Sequence, residues 1–500
     1  MNVFSFDFTT LLSFDVLFAV VFGTLFGIFI GVLPGVGSTI GIVLLLPLTY
    51  SMSPIMSIIM LMALYNGGSY GGSISSIILG VPGTPGATAT AIDGYPLAKK
   101  GFPGKALGYS LTASTIGGIF GALCLMFLTL TLSTVTRNFR DPEFFLLGLL
   151  GLVCVASLSS KDVVKSSVSI FMGLQFSLVG MDIFTGAKRF TFGNINLLDG
   201  FTLVSLLIGL FAVSEALNML EGDLSKRHVT EKKRLKTSIS WEEFKSVVKD
   251  IFKSSVIGTS IGILPGMGGS PASWFSLTEA QRSSKTPEKF GTGHPNGIAA
   301  PEAANNACVG GSMVPLLTLG IPGSPAAAVI MGALMIHGVQ MGPMLMDTET
   351  ELIFGIFWGF LFAVISMYIF GRYLTTLFAR MLTLPQYIMV PIVAFIALIG
   401  TYVPRLNIFD LWVAIIVGGI AYILRKLDFS LPSFVLAFIL GPIMERGLRR
   451  SLMISRGSWS IFVTRPYCIF IIVLIVLLII AMVFSKAKTR KAIKEKIDAE

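Results

Sequence analysis

Long apolar runs recur along almost the whole chain. Clear examples are residues 16–33, 40–64, 106–132, 201–220 and 352–370. Several of them reach the roughly 20 residues that a helix needs to cross a bilayer. The strict alternation of apolar and polar positions that is typical of a transmembrane β-barrel is absent. We therefore predict an all-α polytopic membrane protein with about ten to twelve transmembrane or re-entrant helices.

The composition supports this membrane assignment. Only 13% of the 500 residues are charged, whereas 53% are hydrophobic, and a soluble domain carries about 25% charged residues. The net charge of +10 is then better explained by basic cytoplasmic loops near anionic lipid than by nucleic acid. No lysine or arginine precedes Lys99, so we predict that the first apolar run is a retained helix and not a signal peptide.

Glycine and proline interrupt the apolar sequence in the same way in both halves. The first half contains GVLPGVG at residues 31–37 and GVPGTPG at 80–86; the second contains GILPGMG at 262–268 and GIPGSP at 320–325. Such motifs break helices, and lipid tolerates broken helices only where protein or a water-lined cavity satisfies the backbone. Matched breaks in two halves indicate the binding site of a transporter.

The distribution of charge predicts that the two halves are inverted repeats with broken helices. We assign residues 1–220 to the first repeat, 221–253 to a basic cytoplasmic linker, 254–450 to the second repeat and 451–500 to a C-terminal helix with a basic cytoplasmic tail. The loop at residues 99–105 is basic, whereas its counterpart at 342–351 is acidic. Opposite charge in equivalent loops favours opposite sides of the membrane. A parallel duplication is the alternative.

Two further strings resemble a known family. DGYPLAKKG at residues 93–101 and APEAANNA at 300–307, with the paired LPG and PGxP motifs, are similar to the large membrane subunit (TctA type) of the tripartite tricarboxylate transporters. The resemblance runs from about residue 15 to about residue 450. It implies a permease in the bacterial inner membrane that imports di- or tricarboxylates, citrate-like in class, by cation symport. It also implies two separate partner chains, a small membrane subunit (TctB type) and a periplasmic solute-binding protein (TctC type).

The candidate substrate site follows from the chemistry of a carboxylate that loses its water. Amides at helix N-termini and the side chains of Ser, Thr and Asn can replace the lost hydrogen bonds. Asn66 and Asn305 each precede Gly-Gly-Ser at the same spacing and are predicted to line one central site, while Gly83 and Gly323 would let backbone approach the ligand. The predicted substrate-binding residues are Ser38, Thr39, Asn66, Ser73, Gly83, Thr84, Ser270, Asn305, Ser312, Gly323 and Ser324. For any one of these small residues, close helix packing is the alternative role.

Cation coupling is predicted at Glu302 because an ionisable residue at membrane depth is functional by default. Asn66, Asn305 and Asn306 are predicted to act with it, and carbonyls at the broken helices are candidate ligands for Na⁺. No cofactor is expected, and the sequence leaves Na⁺ and H⁺ as alternative coupling ions.

Two rival functions come from other classes. Residues 67–71 read GGSYG, which fits the G-x-S-x-G nucleophile motif and would pair Ser69 with His337 in a serine hydrolase. That motif belongs after a strand, and no strand is expected here, so we predict that the protein is not an enzyme. An ion channel is the other rival, and it would pass ions without saturable, coupled uptake.

Overall fold

The computed structural model describes residue 9 and residues 12–158, 163–221, 237–381 and 386–480. Within these ranges the chain is almost entirely helical, and the one sheet is a short two-stranded antiparallel hairpin. The all-α prediction is confirmed. Residues 222–236 of the predicted basic linker and all of the predicted basic tail after residue 480 lie outside the described residues.

The helices are numbered here in chain order. The first are α1 (Phe14–Val32), α2 (Gly37–Thr49), α3 (Pro54–Leu79), α4 (Thr88–Lys99), α5 (Pro103–Thr136), α6 (Asp141–Leu158) and α7 (Val163–Ser177). The hairpin of β1 (Gly180–Met181) and β2 (Lys188–Arg189) follows, and then α8 (Leu203–Leu207), a π-helical stretch at Ile208–Val213, α9 (Ser214–Glu221), α10 (Trp241–Ile263), α11 (Gly269–Ser283), α12 (Pro295–Leu319) and α13 (Pro325–Ile336). The last are α14 (Leu345–Thr348), α15 (Thr350–Met381), α16 (Gln386–Tyr402), α17 (Ile408–Lys426), α18 (Leu431–Ile454), α19 (Ile461–Thr464) and α20 (Pro466–Ile480).

The described chain supports a multi-pass membrane protein. Six stretches are long and apolar enough to cross a membrane, namely α1, α5, the run from α8 to α9, α15, α17 and α18. Shorter apolar helices include α2, α13, the later part of α16 and α20. A helix of 12 or 13 residues spans only about 20 Å, so α13 and α2 are too short to cross the roughly 30 Å hydrocarbon core alone. Helices that begin or end inside the bilayer are what the Gly-Pro breaks predict.

The chain folds into two compact units. One consists of residues 1–134 and 201–426, and the other of residues 135–200 and 427–500. The first unit therefore contains the Gly-Pro motifs of both predicted repeats. The repeat boundaries themselves stay a prediction, because compact units and sequence repeats divide a chain on different grounds.

In the first unit, the order of helix, break, helix, long helix, PGxP loop and helix occurs twice. It is made first by α1 to α4 and again by α10 to α13. Both long helices, α3 and α12, begin with proline in their first turn and end at a left-handed glycine, Gly80 (φ 72°) or Gly320 (φ 69°). Proline in the first turn loses no helical hydrogen bond, and glycine adopts positive φ without a Cβ clash.

Glycines bring the helices of each half into backbone contact. A Cβ at Gly27 of α1 would lie 2.4 Å from the Leu64 carbonyl oxygen of α3, and one at Gly258 of α10 would lie 2.2 Å from the Ala304 oxygen of α12. Such close approach between membrane helices depends on small residues at the contact. The helices α1 with α3, and α10 with α12, are therefore paired through equivalent glycine faces.

The two long helices run in opposite directions. Near their middles, the Asn305 Nδ2 of α12 donates to the Ser69 carbonyl of α3 (3.3 Å). At the end of α3, Ile77 lies against Gly94 of α4. The start of α12 reaches that same helix, because Asp93 of α4 accepts from the His294 backbone N–H (2.7 Å). The end of α3 and the beginning of α12 thus lie beside the same part of α4.

The second unit is built on α18, which packs against α6 and α7. A Cβ at Gly173 of α7 would lie 2.2 Å from the Phe434 carbonyl oxygen of α18. Ion pairs fasten the β1–β2 hairpin to α18, since Arg449 contacts Asp182 at 2.6 Å and Arg189 contacts Glu445 at 2.7 Å. The hydrogen bond from Arg449 lowers the pKa of the Asp182 carboxyl.

Candidate functional site

The two breaks and the two PGxP loops meet at one cavity in the first unit. Its volume is about 140 Å³, enough for several water molecules. Equivalent residues of the two halves line it, so that Thr39 is matched by Ser270 and Thr84 by Ser324. Ser38 and Asn305 also line it. Six of the predicted substrate-binding residues are therefore brought together here.

Helix N-termini point at this cavity from both halves. α2 begins at Gly37, α11 at Gly269 and α13 at Pro325, and residues of each first turn line the cavity. Backbone N–H groups in a first turn lack acceptors within their own helix, and the helix dipole adds positive potential there. None of the lining residues is a lysine, arginine, aspartate or glutamate. The helix dipoles thus favour an anion in the cavity although no basic side chain lines it.

Backbone hydrogen bonds hold the loops in place. The Gly83 N–H donates to the Gly72 carbonyl (3.3 Å), and the Gly323 N–H donates to the Ser312 carbonyl (3.2 Å). In the second break, the N–H groups of Gly266 and Gly268 donate to the PGxP loop, and both glycines have positive φ. Some carbonyls that were candidate Na⁺ ligands therefore already accept backbone hydrogen bonds.

Thr84 and Ser324 occupy equivalent places but differ in their partners. The Ser324 Oγ accepts from the Ala327 N–H (3.0 Å) and from the Tyr65 hydroxyl (3.0 Å). The Thr84 Oγ1 is buried and has no hydrogen-bond partner within the described structure. Because buried polar groups are rarely left unpaired, the Thr84 hydroxyl is the lining group with most to gain from a ligand.

Asn305 lies where the two halves come closest. Its Nδ2 donates to the Ser69 carbonyl of α3 (3.3 Å). A Cβ at Gly86 would lie 2.2 Å from its Oδ1, and one at Gly269 would lie 2.1 Å from the same atom. The carboxamide is therefore enclosed by one glycine from each half, beside the N-terminus of α11.

Asn66 lies elsewhere, so the prediction that it lines the cavity with Asn305 is wrong. Its Nδ2 donates to the Met367 sulfur of α15 (3.2 Å), and it is not among the lining residues. The contacts of the equivalent glycines on α1 and α10 explain the error, because they show that Leu64 of α3 corresponds to Ala304 of α12. This register pairs Tyr65 with Asn305 and Asn66 with Asn306. A shift of one residue turns a side chain by about 100° around the helix axis, so Asn66 does not point where the equivalent of Asn305 points.

Four more predicted site residues face protein rather than the cavity. A Cβ at Gly83 would lie 1.9 Å from the Gly31 oxygen, and one at Gly323 would lie 2.1 Å from the Gly262 oxygen, so these glycines serve helix packing and not close approach to a ligand. The Ser312 hydroxyl donates to the Val309 carbonyl of its own helix (2.9 Å). The Ser73 hydroxyl contacts Ser110 (2.8 Å), and Ser73 does not line the cavity.

Glu302 is fully buried in a nest of hydroxyl groups. The hydroxyls of Thr90 (2.5 Å), Ser114 (2.9 Å) and Ser110 (3.3 Å) donate to its carboxylate. In the described chain Glu302 forms no ion pair with a basic residue. Asn306, one turn later, donates to the Glu302 backbone carbonyl (3.2 Å). Glu302 therefore lies outside the cavity but on the helix that carries Asn305.

The structure does not form the serine–histidine pair of the hydrolase alternative. Ser69 lines the cavity near the start of α13, and its hydroxyl donates to the Tyr65 carbonyl (2.9 Å). His337 follows the other end of α13, about 18 Å away along a helix of this length. The described structure therefore does not bring His337 to Ser69 as the base that the motif requires.

Sequence reasoning missed Tyr65, Thr90, Ser110 and Ser114. Tyr65 directly precedes Asn66, and the correct register between α3 and α12 would have identified it. The three hydroxyl residues carry no motif, and their role follows only from their distance to Glu302. Their nearest sequence signal is that they are polar residues within the apolar sequence of α4 and α5.

Comparisons with known proteins agree with the geometry. The model of the tripartite tricarboxylate transporter TctA family matches residues 17–436. An uncharacterized 52.8 kDa protein in the TAR-I ttuC' 3' region of Agrobacterium vitis is 37% identical over 406 residues, which is 81% of each chain. A second uncharacterized protein, in the TAR-II ttuC' 3' region of that organism, is 38% identical over 209 residues, 42% of this chain and 86% of that protein. No solved structure matches the chain. The protein therefore belongs to the tripartite tricarboxylate transporter TctA family and is a multi-pass membrane component of tricarboxylate transport.

Proposed function

We propose that the protein is the permease subunit of a binding-protein-dependent secondary transporter, and that it imports di- or tricarboxylates by cation symport. The observation that carries this proposal is the convergence of three helix N-termini from two halves on one cavity without charged side chains. Helix N-termini bind anions through free N–H groups and the helix dipole. A fixed lysine or arginine would hold a multiply charged substrate more tightly, and a transporter must also release it.

Inverted repeats with alternating access are the mechanism that we propose for this site. It is supported by the opposite directions of α3 and α12 and by the equivalent pairs that line the cavity. A site at the interface of two inverted halves becomes accessible from either side when one half moves relative to the other. An ion channel does not require a cavity of this kind.

The sidedness of two loops tests the inversion. Lys105 pairs with Glu243 at the start of α10 (2.7 Å), within the predicted cytoplasmic linker, so we expect residues 99–105 to be cytoplasmic. The Thr237 hydroxyl donates to the Arg372 carbonyl of α15 (3.1 Å), and Thr350 starts that helix about 33 Å away. We expect residues 342–351 to be external. An impermeant thiol reagent should label Glu349→Cys but not Lys99→Cys in intact cells, and equal labelling would refute the inversion.

The partners and the orientation belong to the same proposal. The family resemblance supports a small TctB-type membrane subunit and a periplasmic TctC-type binding protein as separate chains in a bacterial inner membrane. We expect the C-terminus to be cytoplasmic because residues 486–491 include four basic residues, and basic segments stay on the cytoplasmic side. Proteoliposomes with all three subunits should show saturable citrate uptake that requires the binding protein and an imposed Na⁺ or H⁺ gradient. Non-saturable ion flux without citrate accumulation would instead support a channel.

Thr84→Val tests the free hydroxyl of the cavity. We expect citrate affinity to fall about tenfold or more, since a hydrogen bond to a charged group contributes about 1.5–3 kcal/mol. The melting temperature should change little, because the hydroxyl has no hydrogen-bond partner among the described residues to lose. Thr318→Val in α12 is a matched control: its buried hydroxyl donates to the Val314 carbonyl (2.8 Å) away from the cavity. Equal affinities of wild type and Thr84→Val would remove Thr84 from the site.

A further inference from the structure

The hydroxyl nest around Glu302 is a second polar site, separate from the substrate cavity. We propose that it is the coupling site of the transporter, and that the ion it binds is a proton carried by the Glu302 carboxylate. This inference rests on the proposed symport function and names its ion. It is argued from burial, hydrogen bonding and the helices that connect the nest to the cavity.

Burial without a cation is the first observation. Glu302 is 0% exposed, and in the described ranges no lysine, arginine or histidine pairs with it. A buried carboxylate needs a counter-charge or must be neutral, because desolvation of an unpaired ion costs several kcal/mol. Protonation at one carboxylate oxygen supplies this neutrality without any further ligand.

Hydrogen-bond geometry favours a proton over Na⁺. The contacts of Glu302 with Ser114 (2.9 Å) and Ser110 (3.3 Å) are ordinary O–H···O distances, with one hydrogen between each pair of oxygens. A Na⁺ ion among these oxygens would compete with the hydroxyl hydrogens for the lone pairs of the carboxylate, whereas a proton on the carboxyl group displaces none of the hydroxyls. A hydroxyl both donates and accepts, so the same nest can hydrogen-bond either form of the carboxyl group.

The nest is connected to the substrate cavity by two helices. Asn305, three residues after Glu302 on α12, lines the cavity. Thr90 lies on α4, and the turn at Pro85–Ala87 that leads into this helix contributes Pro85 and Gly86 to the cavity wall. A substrate that shifts this turn would move Thr90 relative to Glu302. The Glu302–Thr90 contact joins the second half to the first, so the protonation state can favour one arrangement of the halves.

Neighbouring titratable groups do not replace Glu302 in this role. Tyr70 of α3, Tyr109 of α5 and Asp93 of α4 lie on the helices that surround the nest. Asp93 accepts three backbone N–H groups of the loop before α12, at 2.7 to 2.9 Å. On α11, Glu279 pairs with Lys253 (2.6 Å). Asp93 therefore has backbone N–H donors and Glu279 has a cation, whereas among the described residues the Glu302 carboxylate is hydrogen-bonded by hydroxyl groups alone.

Infrared spectroscopy on the purified full-length protein tests the proton directly and needs no substrate. Difference spectra between acidic and alkaline buffer should contain a carboxylic-acid C=O band that is lost in Glu302→Gln and shifted in Thr90→Val and Ser114→Ala. Glu143→Gln is the control, because Glu143 is equally buried but pairs with Arg465 (2.5 Å), and it should keep the band. Persistence of this same band in Glu302→Gln would overturn the proposal. A response of this band to Na⁺ at constant pH would overturn it as well.

Citrate transport in proteoliposomes of the three-subunit complex separates this inference from the proposed function. Glu302→Gln, which mimics the neutral acid, should retain citrate exchange but lose accumulation driven by a proton gradient. Unchanged gradient-driven accumulation in this variant would contradict the coupling role. Absence of citrate exchange in the wild type would count against the carboxylate function alone, since the infrared band is measured without citrate.

Discussion

Asn305→Asp is expected to weaken citrate binding strongly in the folded protein, with a lower melting temperature because the Nδ2 hydrogen bond to the Ser69 carbonyl is lost. The substitution is isosteric and places a negative charge in the cavity, next to the helix N-terminus at Gly269 that we assign to the substrate. Repulsion between two charges about 4 Å apart is about 4 kcal/mol at an effective dielectric constant near 20, which weakens binding about 1,000-fold. The new carboxylate would also interact with the N–H groups at this helix N-terminus and compete with the substrate for them.

The measurement is citrate affinity and melting temperature on the same purified variant. Asn66→Asp is the matched control, because Asn66 lies one residue from the equivalent position and contacts Met367 instead of the cavity. It should lower the melting temperature, since it buries an unpaired charge, but the folded fraction should bind citrate with the wild-type affinity. Wild-type affinity in Asn305→Asp would show that the cavity is not the substrate site.

Gly83→Ala and Gly323→Ala are expected to be strongly destabilising. The added Cβ would lie 1.9 Å from the Gly31 oxygen in the first case and 2.1 Å from the Gly262 oxygen in the second. These contacts are with backbone, which cannot turn aside as a side chain can, so we expect losses of about 3 kcal/mol or more, at or above the upper range for overpacking. Both variants should show a lower melting temperature and a lower folded yield.

Gly419→Ala in α17 is the matched control, because a Cβ there meets no atom within 4 Å. Alanine is also the better helix former, by about 0.5–1 kcal/mol, so this variant should be as stable as the wild type or more so. Citrate affinity per folded molecule should be unchanged in all three variants. A Gly83→Ala protein with normal stability and lost affinity would restore the role in ligand approach that the sequence predicted.

Local sequence was sufficient to predict the breaks and the groups beside them. Gly35, Gly37, Gly266 and Gly268 have positive φ, as expected where glycine follows proline in an interrupted helix. Thr84 and Ser324 line the cavity because the prolines on either side fix the loops that carry them. These features depend on a few neighbouring residues, and such features can be read from sequence.

The register between the halves could not be read in the same way. When the two Asn–Gly-Gly-Ser segments are aligned by sequence, Asn66 corresponds to Asn305. The helix contacts in the structure show instead that Asn66 corresponds to Asn306. Small residues follow both asparagines closely, so the sequence offers two alignments one residue apart. Only packing against α1 and α10 distinguishes them, because the glycine faces must meet specific carbonyls.

The sequence by itself determined that this protein is a helical membrane protein of the TctA type, with matched helix breaks and an acidic residue, Glu302, in an apolar run. Hydrophobic runs and Gly-Pro motifs are sufficient for this, because lipid leaves the backbone few alternatives to the helix. Only the tertiary structure decided which side chains share a site. Thr90, Ser110 and Ser114 lie about 190 to 210 positions from Glu302 in the chain, and side chains so far apart are brought together by the packing of α4, α5 and α12, which no local pattern specifies.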